Sequence, residues 1–250
     1  MVVRVAEQAA KSGAQQIWVA TDHQSILLAV QEHGFQACMT QASHVSGTDR
    51  IAEVVDQMQW PDDAIVVNVQ GDEPLIPPQL ILAVAQHLHD HAQCVMSTAC
   101  HPIHDAEGMR NPNIVKVVLD KESNALYFSR APIPWPRDAF RVLPSSEGRD
   151  DCPSDLPGGR AERGGFGRGE IPKGLTALRH IGIYAYRAGF LRAFHRLAPA
   201  AIEQVEALEQ LRVLWHGYKI GVVVSTQAAP GGVDTEQDLL AVRKLFKSGV

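Results

Sequence analysis

The sequence predicts an α/β fold with a mostly parallel mixed sheet, helices on both faces and a small antiparallel subregion. Short apolar runs alternate with helical segments through the first hundred residues, which is the pattern of right-handed βαβ units. One of these runs, Ile-Val-Val-Asn-Val at 65–69, is almost continuously apolar, as expected for a parallel strand that is covered on both faces.

The first half of the chain predicts its elements in a regular order. Apolar residues at helical spacing open the chain at 2–9, and Gly13 follows where that helix should stop. Gly34 and the pair Pro77-Pro78 indicate a helix end and a helix start. The predicted strands are 16–20, 35–39, 65–69 and 95–99, and the predicted helices are 24–33, 48–58 and 77–89.

The second half predicts antiparallel pairing before the α/β pattern resumes. The runs 114–119 and 125–129 flank a polar segment, which is typical of a hairpin. Residues 141–174 combine glycines, prolines and charges without apolar periodicity, so we expect a flexible insertion there. The remaining predictions are strands at 180–186 and 220–225 and helices at 188–197, 203–216 and 235–246.

Composition narrows the class of protein. With 250 residues and 45% hydrophobic content, the chain can bury one large core, so we expect a single domain over 1–250. A net charge of −5 argues against a protein that coats nucleic acid or anionic lipid. The four cysteines have neither zinc-site spacing nor the density of a disulfide scaffold. With no membrane-spanning run and no signal peptide, we expect a cytoplasmic protein.

Asp72 is the strongest candidate for chemistry. It lies in Gln70-Gly71-Asp72-Glu73-Pro74, directly after the buried strand 65–69, and ligands of open α/β sheets bind beyond the carboxyl ends of strands. Gly71 allows a close backbone approach, and a carboxylate offers the hard oxygen ligands that Mg²⁺ prefers. Taken alone, an ordinary turn in which Asp72 accepts backbone hydrogen bonds explains the segment equally well.

A second carboxylate, Asp234, follows two glycines and precedes the last predicted helix. Capping of that helix by Asp234 or Thr235 is the commoner role for this pattern. Asp234 also comes after a predicted strand, so it could share a magnesium ion with Asp72 if the fold brings the two segments together.

Three further segments carry polar groups suited to nucleotides or acidic sugars. Ser46-Gly47-Thr48 and Arg50 lie at a helix start, where free backbone amides favour anions, although simple capping by Thr48 is the favoured reading. Arg130 and Arg137 flank a proline-rich loop that could aim two guanidinium groups at a carboxylate, although surface arginines are the favoured reading of this pattern taken alone. His180 and Tyr184 share one strand face, where a pocket and a satisfied core histidine are equally plausible.

An ordered set of motifs identifies the chain with a known family. The set closely resembles the 3-deoxy-manno-octulosonate cytidylyltransferases, the CMP-Kdo synthetases of lipopolysaccharide synthesis, over most of the chain outside 141–174. The motifs that carry the resemblance are Ala20-Thr21-Asp22-His23, His44-x-Ser46-Gly47-Thr48-x-Arg50, Asn68-Val69-Gln70-Gly71-Asp72-Glu73-Pro74, Tyr127-Phe128-Ser129-Arg130, Arg179-His180-x-Gly182-Ile183-Tyr184, Leu208-Glu209-Gln210-Leu211-Arg212 and Gly232-Val233-Asp234-Thr235.

The resemblance implies a Rossmann-like nucleotidyltransferase fold, a homodimer with contacts in the second half, and attack of the sugar's anomeric hydroxyl on the α-phosphorus of CTP. Asp72 and Asp234 match the catalytic carboxylates of the family, which bind the Mg²⁺ cofactor. Positions that recognise the cytidine match Ser46, Gly47, Thr48 and Arg50. Positions that face the sugar acid, Kdo, match Gln70, Arg130, Arg137, His180, Tyr184, Glu209 and Gln210.

The start of the sequence departs from the family pattern. The family begins with a strand and a loop of Arg, Gly and Lys that grips the triphosphate, whereas residues 2–9 resemble the helix that follows that loop. We therefore expect a truncated start and negligible catalysis by the printed residues alone. Two alternatives stay open, namely a nucleotidyltransferase for another sugar acid and a non-catalytic nucleotide-binding relative.

Overall fold

The computed structural model describes residues 1–44, 46–137, 171, 174–226 and 231–247. The predicted insertion at 141–174 therefore lies almost entirely outside the described residues. The described helices are α1 (Val2–Ala10), α2 (Gln24–Glu32), α3 (Gly47–Met58), α4 (Pro78–Asp90), α5 (Ala106–Arg110), α6 (Ala188–Phe194), α7 (Ala201–Glu206), α8 (Gln210–Trp215) and α9 (Glu236–Lys247). The described strands are β1 (Trp18–Thr21), β2 (Gln36–Met39), β3 (Ile65–Asn68), β4 (Cys94–Pro102), β5 (Lys116–Leu119), β6 (Ala125–Ser129), β7 (Leu178–Arg187) and β8 (Lys219–Val224).

Two helical predictions need correction. The single helix predicted at 203–216 is wrong, because Ala207 adopts a left-handed backbone with φ 51° and separates α7 from α8. The short helix α5 was not predicted, and it begins where the Asp105 side chain accepts a hydrogen bond from the Gly108 amide. Among the described helices, none is long and apolar enough to cross a bilayer.

The described strands form two sheets. β1 and β2 pair in parallel by themselves. In the six-stranded sheet, β7 pairs antiparallel with β3, β4 and β5, β5 pairs antiparallel with β6, and β4 pairs in parallel with β8. Strands β3, β4, β5 and β8 therefore run one way, while β6 and β7 run the other. The predicted mixed sheet is confirmed, but antiparallel pairing extends beyond the predicted hairpin of β5 and β6, because β7 is reversed between strands that share a direction.

Helices cover both faces of the larger sheet, as predicted. On β7, Ile181, Ile183 and Ala185 belong to the hydrophobic cluster that includes the buried residues of α4. Tyr184 and Tyr186 alternate with them and pack into the second cluster, which contains residues of α3, α6 and α8. The period-two alternation of a strand thus places neighbouring residues of β7 in opposite layers. Burial of these two layers supplies the main favourable contribution to folding.

β7 contains a bulge between the two positions predicted for a ligand. Thr98 pairs with Tyr184, whereas the next residue, Ala99, pairs with Ile181, so β7 carries two additional residues at this step. The Thr98 hydroxyl fills the gap, because its Oγ1 lies 2.7 Å from the Ile183 carbonyl oxygen and 2.9 Å from His180 Nε2. The bulge therefore fixes where His180 stands relative to Tyr184.

Lys116 of β5 is fully buried and supports the polypeptide around Arg130. Its Nζ donates hydrogen bonds to the carbonyl oxygens of Asn111 at 3.0 Å, Ile114 at 2.7 Å and Arg130 at 2.5 Å. Burial lowers the pKa of Lys116, and the nearby Glu206 carboxylate opposes that shift. The ammonium group thus links the residues just before β5 to the segment that follows β6.

We predict that Lys116→Met destabilises the protein by about 2–3 kcal/mol, because buried carbonyl groups that lose their donor cost about 1–3 kcal/mol each and partial relaxation offsets the rest. Chemical denaturation followed by circular dichroism measures the change. Lys121→Met, at an exposed position of the β5–β6 turn, is the matched control and should change stability by less than about 0.5 kcal/mol. Equal stability of the two variants would contradict the role assigned to Lys116.

Candidate functional site

Asp72 lies in a tight turn at the end of β3. The Glu73 amide donates to the Gln70 carbonyl oxygen at 3.2 Å, and the Ile76 amide donates to the Glu73 carbonyl oxygen at 3.2 Å. Asp72 is partly buried and Gln70 is exposed. Gly71 has no atom within 4 Å of the position that a Cβ would take, so this side of the turn is open to an approaching ligand.

The segment before α9 packs against this turn. The Val233 amide donates to the Asp72 carbonyl oxygen at 2.9 Å, and Gly232 lies beside Asp72 and Glu73. Burial raises the pKa of Glu73, and the charges of Asp72 and Asp234 raise it further. Both effects are expected for a partly buried carboxyl group that has other carboxylates nearby. The fold therefore brings Asp72 and Asp234 together, which the sequence analysis required for a shared metal ion.

Thr235, one of the two predicted candidates, caps α9. The Thr235 hydroxyl oxygen accepts a hydrogen bond from the Asp238 amide at 3.2 Å, and the Asp238 carboxylate accepts from the Thr235 amide at 2.9 Å and from its hydroxyl at 2.7 Å. This reciprocal pair caps the start of α9. The Asp234 carboxylate, which is exposed, does not serve as the cap.

The donor chemistry at Asp72 and Asp234 fits magnesium. Within the described residues, no three His, Cys, Asp or Glu side chains converge as a complete metal site. Mg²⁺ commonly takes one or two protein carboxylates and completes its octahedral shell with substrate phosphates and water. Two carboxylates at an open turn therefore suit an ion that arrives with a nucleotide.

The first turn of α3 lies beside the end of β3. Ser46 is the cap, because its hydroxyl oxygen accepts from the Asp49 amide at 3.1 Å, and the alternative of a cap by Thr48 is wrong. A Cβ at Gly47 would lie 3.8 Å from the Asn68 side chain at the end of β3. Ser46 and Gly47 are thus close to the strand that leads to Asp72.

Arg50 is held by an ion pair at the end of β1. Its Nη2 donates to Asp22 Oδ2 at 2.9 Å, and its Nη1 donates to Thr40 Oγ1 at 2.5 Å. The Arg50 hydrogen bond keeps the pKa of Asp22 below its usual value. Arg50 therefore connects α3 to the ends of β1 and β2, in addition to any contact with a nucleotide.

His180 is a hydrogen-bonded histidine in an aromatic row. The Thr98 hydroxyl lies 2.9 Å from His180 Nε2, and the ring centroids of Phe128 and Tyr184 lie 5.0 and 5.4 Å from that of His180. Burial lowers the pKa of His180 to about 3, so the imidazole is neutral at pH 7. Sequence reasoning missed Thr98, because a threonine within a strand is an ordinary β-former.

A second group of predicted residues surrounds a small cavity next to this row. Thr48 Oγ1 donates to Glu209 Oε2 at 2.7 Å and lies 3.4 Å from the Tyr186 hydroxyl. The buried Gln210 Nε2 has no hydrogen-bond partner among the described residues. The cavity holds about 10 Å³, which is room for about one water molecule. Its lining residues are Thr48, Met96, Tyr184, Tyr186, Phe194, Glu209, Gln210 and Val213.

Arg130, the first of the two predicted arginines, is held by carbonyl groups and by Glu206. Arg130 Nε donates to the Glu206 carbonyl oxygen at 2.8 Å, and Arg130 Nη1 donates to the Pro112 carbonyl oxygen at 3.1 Å. The Glu206 carboxylate accepts from the Arg130 amide at 2.9 Å. Glu206 was not predicted, because it approaches Arg130 only through the tertiary fold. Arg137 is exposed and ends the described stretch 46–137.

Comparison with known proteins shows the family and the fold. The family model for cytidylyltransferases matches residues 1–220. Among solved structures, a CMP:2-keto-3-deoxy-manno-octonic acid synthetase complexed with CTP is 35% identical, with a TM-score of 0.81 over 100% of this chain and 88% of that chain. A 4-diphosphocytidyl-2C-methyl-D-erythritol synthase has a TM-score of 0.56 over 98% of this chain and 89% of that one. At 10% identity, the second likeness concerns the fold alone.

The predicted nucleotidyltransferase fold is thereby confirmed, and the family match spans β3 with its Asp72 turn, the reversed strand β7 and the short helix α8. The chain belongs to the cytidylyltransferase family and, by its likeness in sequence and structure to the CTP complex, to the CMP-Kdo synthetases within it.

Proposed function

We propose that this protein transfers CMP from CTP to 3-deoxy-D-manno-octulosonate (Kdo), giving CMP-Kdo and pyrophosphate. The observation that carries the proposal is the approach of Asp72 to Asp234 at the end of β3, in a chain 35% identical to a synthetase complexed with CTP. Activated Kdo serves lipopolysaccharide synthesis. Because the reaction consumes a nucleoside triphosphate, we place it in the cytoplasm.

The reaction is an in-line displacement at phosphorus. The anomeric hydroxyl oxygen of Kdo forms a bond to the α-phosphorus of CTP, the bond to the bridging oxygen breaks, and pyrophosphate leaves with that electron pair. The hydroxyl proton passes to solvent. Such reactions require mainly positioning and electrostatic stabilisation from the protein.

Asp72 and Asp234 would hold Mg²⁺ from the open side of the Gly71 turn. The ion supplies charge neutralisation of the triphosphate and stabilisation of the leaving group. Asp72 is held in place by the hydrogen bond from the Val233 amide to its carbonyl oxygen. Glu73 lies beside both aspartates, whose charges add to the effect of burial in raising its pKa.

The sugar acid would bind on the side of the sheet that carries the aromatic row of β7. The neutral His180 imidazole, the Tyr184 hydroxyl, the Glu209 carboxylate and the Gln210 amide are groups that hydrogen-bond to sugar hydroxyls. Arg130 and Arg137 are the candidates for pairing with the sugar carboxylate. Ser46, Gly47, Thr48 and Arg50 are the candidates for cytidine, and Gln70 is a further candidate for the sugar acid.

A homodimer is part of the proposal. Large apolar side chains are exposed on three elements of the second half, namely Val205 on α7 (87% exposed), Trp215 on α8 (59%) and Leu126 on β6 (61%). α8 packs on both α7 and β6. Exposed apolar groups on adjoining elements are typical of an interaction surface.

Substrate identity is tested by following pyrophosphate release from CTP and Mg²⁺ with Kdo and with other sugar acids, using protein expressed from its complete reading frame. We expect CTP turnover with Kdo and at least tenfold lower kcat/KM with the other acids. Consumption of another acid while Kdo stays inert would favour the alternative nucleotidyltransferase. Binding of CTP without turnover of any acid would favour the non-catalytic relative.

We predict that Asp72→Asn lowers kcat by at least about 10²-fold, because the loss of one pre-organised electrostatic contact has an effect of this size. Excess chelator should abolish turnover of the wild-type protein, and added Mg²⁺ should restore it. Asp63→Asn, at an exposed turn before β3, is the matched control and should retain wild-type kcat. Full activity of Asp72→Asn would remove Asp72 from the metal site.

Light scattering of protein eluted from a size-exclusion column measures the molar mass and so tests the dimer. We predict a dimer for the wild type and a monomer for Val205→Asp, because a buried unpaired carboxylate opposes association. Leu82→Asp, at a position 53% exposed on α4, should leave the dimer intact. A monomeric wild-type protein at micromolar concentration, or a dimer that survives Val205→Asp, would argue against this surface.

A further inference from the structure

The Thr48 side chain is buried and hydrogen-bonded inside the fold. Thr48 is only 2% exposed and occupies the second position of α3, after the cap at Ser46. Its hydroxyl has a single proton, and that proton is donated to Glu209 Oε2 at 2.7 Å. The hydroxyl is therefore occupied by an internal contact, while the backbone amide of Thr48, in the first turn of α3, has no partner within the helix.

Glu209 belongs to the sugar side of the site. It follows the left-handed residue Ala207 and precedes α8. Its charge contributes to the raised pKa values of Tyr184 and Tyr186, for which burial is the first cause. Both phenols therefore stay neutral and can donate hydrogen bonds. The carboxylate thus shares its environment with the row of His180, Tyr184 and Tyr186.

Only one of the two Glu209 carboxylate oxygens is engaged. Oε2 accepts from Thr48, and Oε1 accepts no hydrogen bond from any residue that the structure describes. Hydrogen bonds to ionised acceptors in a partly buried setting are short and strong, so the Thr48 contact determines the orientation of the carboxylate. The unpartnered Gln210 Nε2 lies in the wall of the same cavity.

We infer that Thr48 is a positioning residue for the sugar acid, which holds Oε2 of Glu209 so that Oε1 stays available to a sugar hydroxyl. The inference rests on the proposed function and changes the role of one residue, because the family resemblance placed Thr48 with the cytidine. It also joins the two halves of the site physically. The first turn of α3, on the nucleotide side, contacts the start of α8, on the sugar side, through this hydrogen bond.

Thr48→Val tests the inference, since valine keeps the shape and the backbone amide and removes only the hydroxyl. In pyrophosphate-release assays on protein from the complete reading frame, we expect KM for the sugar acid to rise about tenfold, as for the loss of a hydrogen bond to a charged group. KM for CTP should change by less than twofold. Thr176→Val, exposed just before β7, is the matched control and should leave both KM values unchanged.

A double mutant tests whether Thr48 affects binding of the sugar acid through Glu209 or by direct contact. Glu209→Ala removes the group that Thr48 positions, so Thr48→Val should have no further effect on KM for the sugar acid in that background. A rise in KM for CTP in place of the sugar acid, or full additivity with Glu209→Ala, would overturn the inference. The KM split would not arise from a loss of stability alone, and thermal unfolding of each variant measures that loss separately.

The assays distinguish a failure of the proposed function from a failure of the positioning role of Thr48. If the wild-type protein consumes a different sugar acid, the assignment of Kdo fails, and KM for that other acid then decides the role of Thr48 by the same criteria. If no sugar acid supports turnover, both the proposed function and the positioning role are overturned.

Discussion

The antiparallel pairing of β7 is the constraint on which the site depends. β7 pairs with β4 along most of its length, with β3 at its carboxyl end and with β5 at its start. Tyr184 is consequently opposite both Thr98 on β4 and Asn68, the last residue of β3. A register slip of one residue would exchange the two faces of the strand. It would move Tyr184 and Tyr186 into the layer of α4 and carry Ile183 into the site.

This register brings the carboxylates after β3 close to the aromatic row of β7. The turn after β3 places Asp72 beside the segment that contains Asp234. This region is acidic and open, and it suits a cation that is bound to the phosphates of a nucleotide. The aromatic row of β7 reaches the end of β3, where Tyr184 pairs with Asn68, and it offers neutral hydrogen-bonding groups beside the Glu209 carboxylate. A phosphoryl acceptor on one side and a metal-bound triphosphate on the other would share a boundary near Gln70. Proximity of this kind accounts for a large part of the rate enhancement in group transfer.

Much of the fold could be predicted, because apolar periodicity records which face of an element is buried. The short apolar strand β3 and the helices α2, α3 and α4 follow directly from that pattern, although the expectation that β3 pairs in parallel is wrong, because it pairs antiparallel with β7. Apolar periodicity does not show which strands pair with each other in a sheet. The alternation within 180–186 indicates two faces, but nothing local specifies that β7 runs against β3, β4 and β5. The break at Ala207 could not be predicted either, since alanine favours helix and its left-handed backbone is imposed by the surroundings.

The site was predictable where local chemistry is unusual and unpredictable where it is ordinary. A glycine and a carboxylate directly after a buried strand indicated Asp72, and glycines before a helix indicated Asp234. Thr98, Glu206 and the direction of the Thr48 hydroxyl depend on contacts between residues 76 to 161 positions apart. Such contacts have no local signature. Thr48, Tyr184, Glu209 and Gln210, which the family resemblance named, line one cavity, and the Thr48 hydroxyl donates to Glu209 within it.

The most direct test of the account is the location of the metal ion in a crystal of the protein grown with CTP and Mn²⁺, measured by anomalous diffraction. Mn²⁺ accepts the same oxygen ligands as Mg²⁺. The account predicts one strong anomalous peak between Asp72 and Asp234, about 2.0–2.3 Å from an oxygen of each carboxylate and in contact with the triphosphate. A peak bound to the triphosphate elsewhere, with both carboxylates uncoordinated, would contradict it.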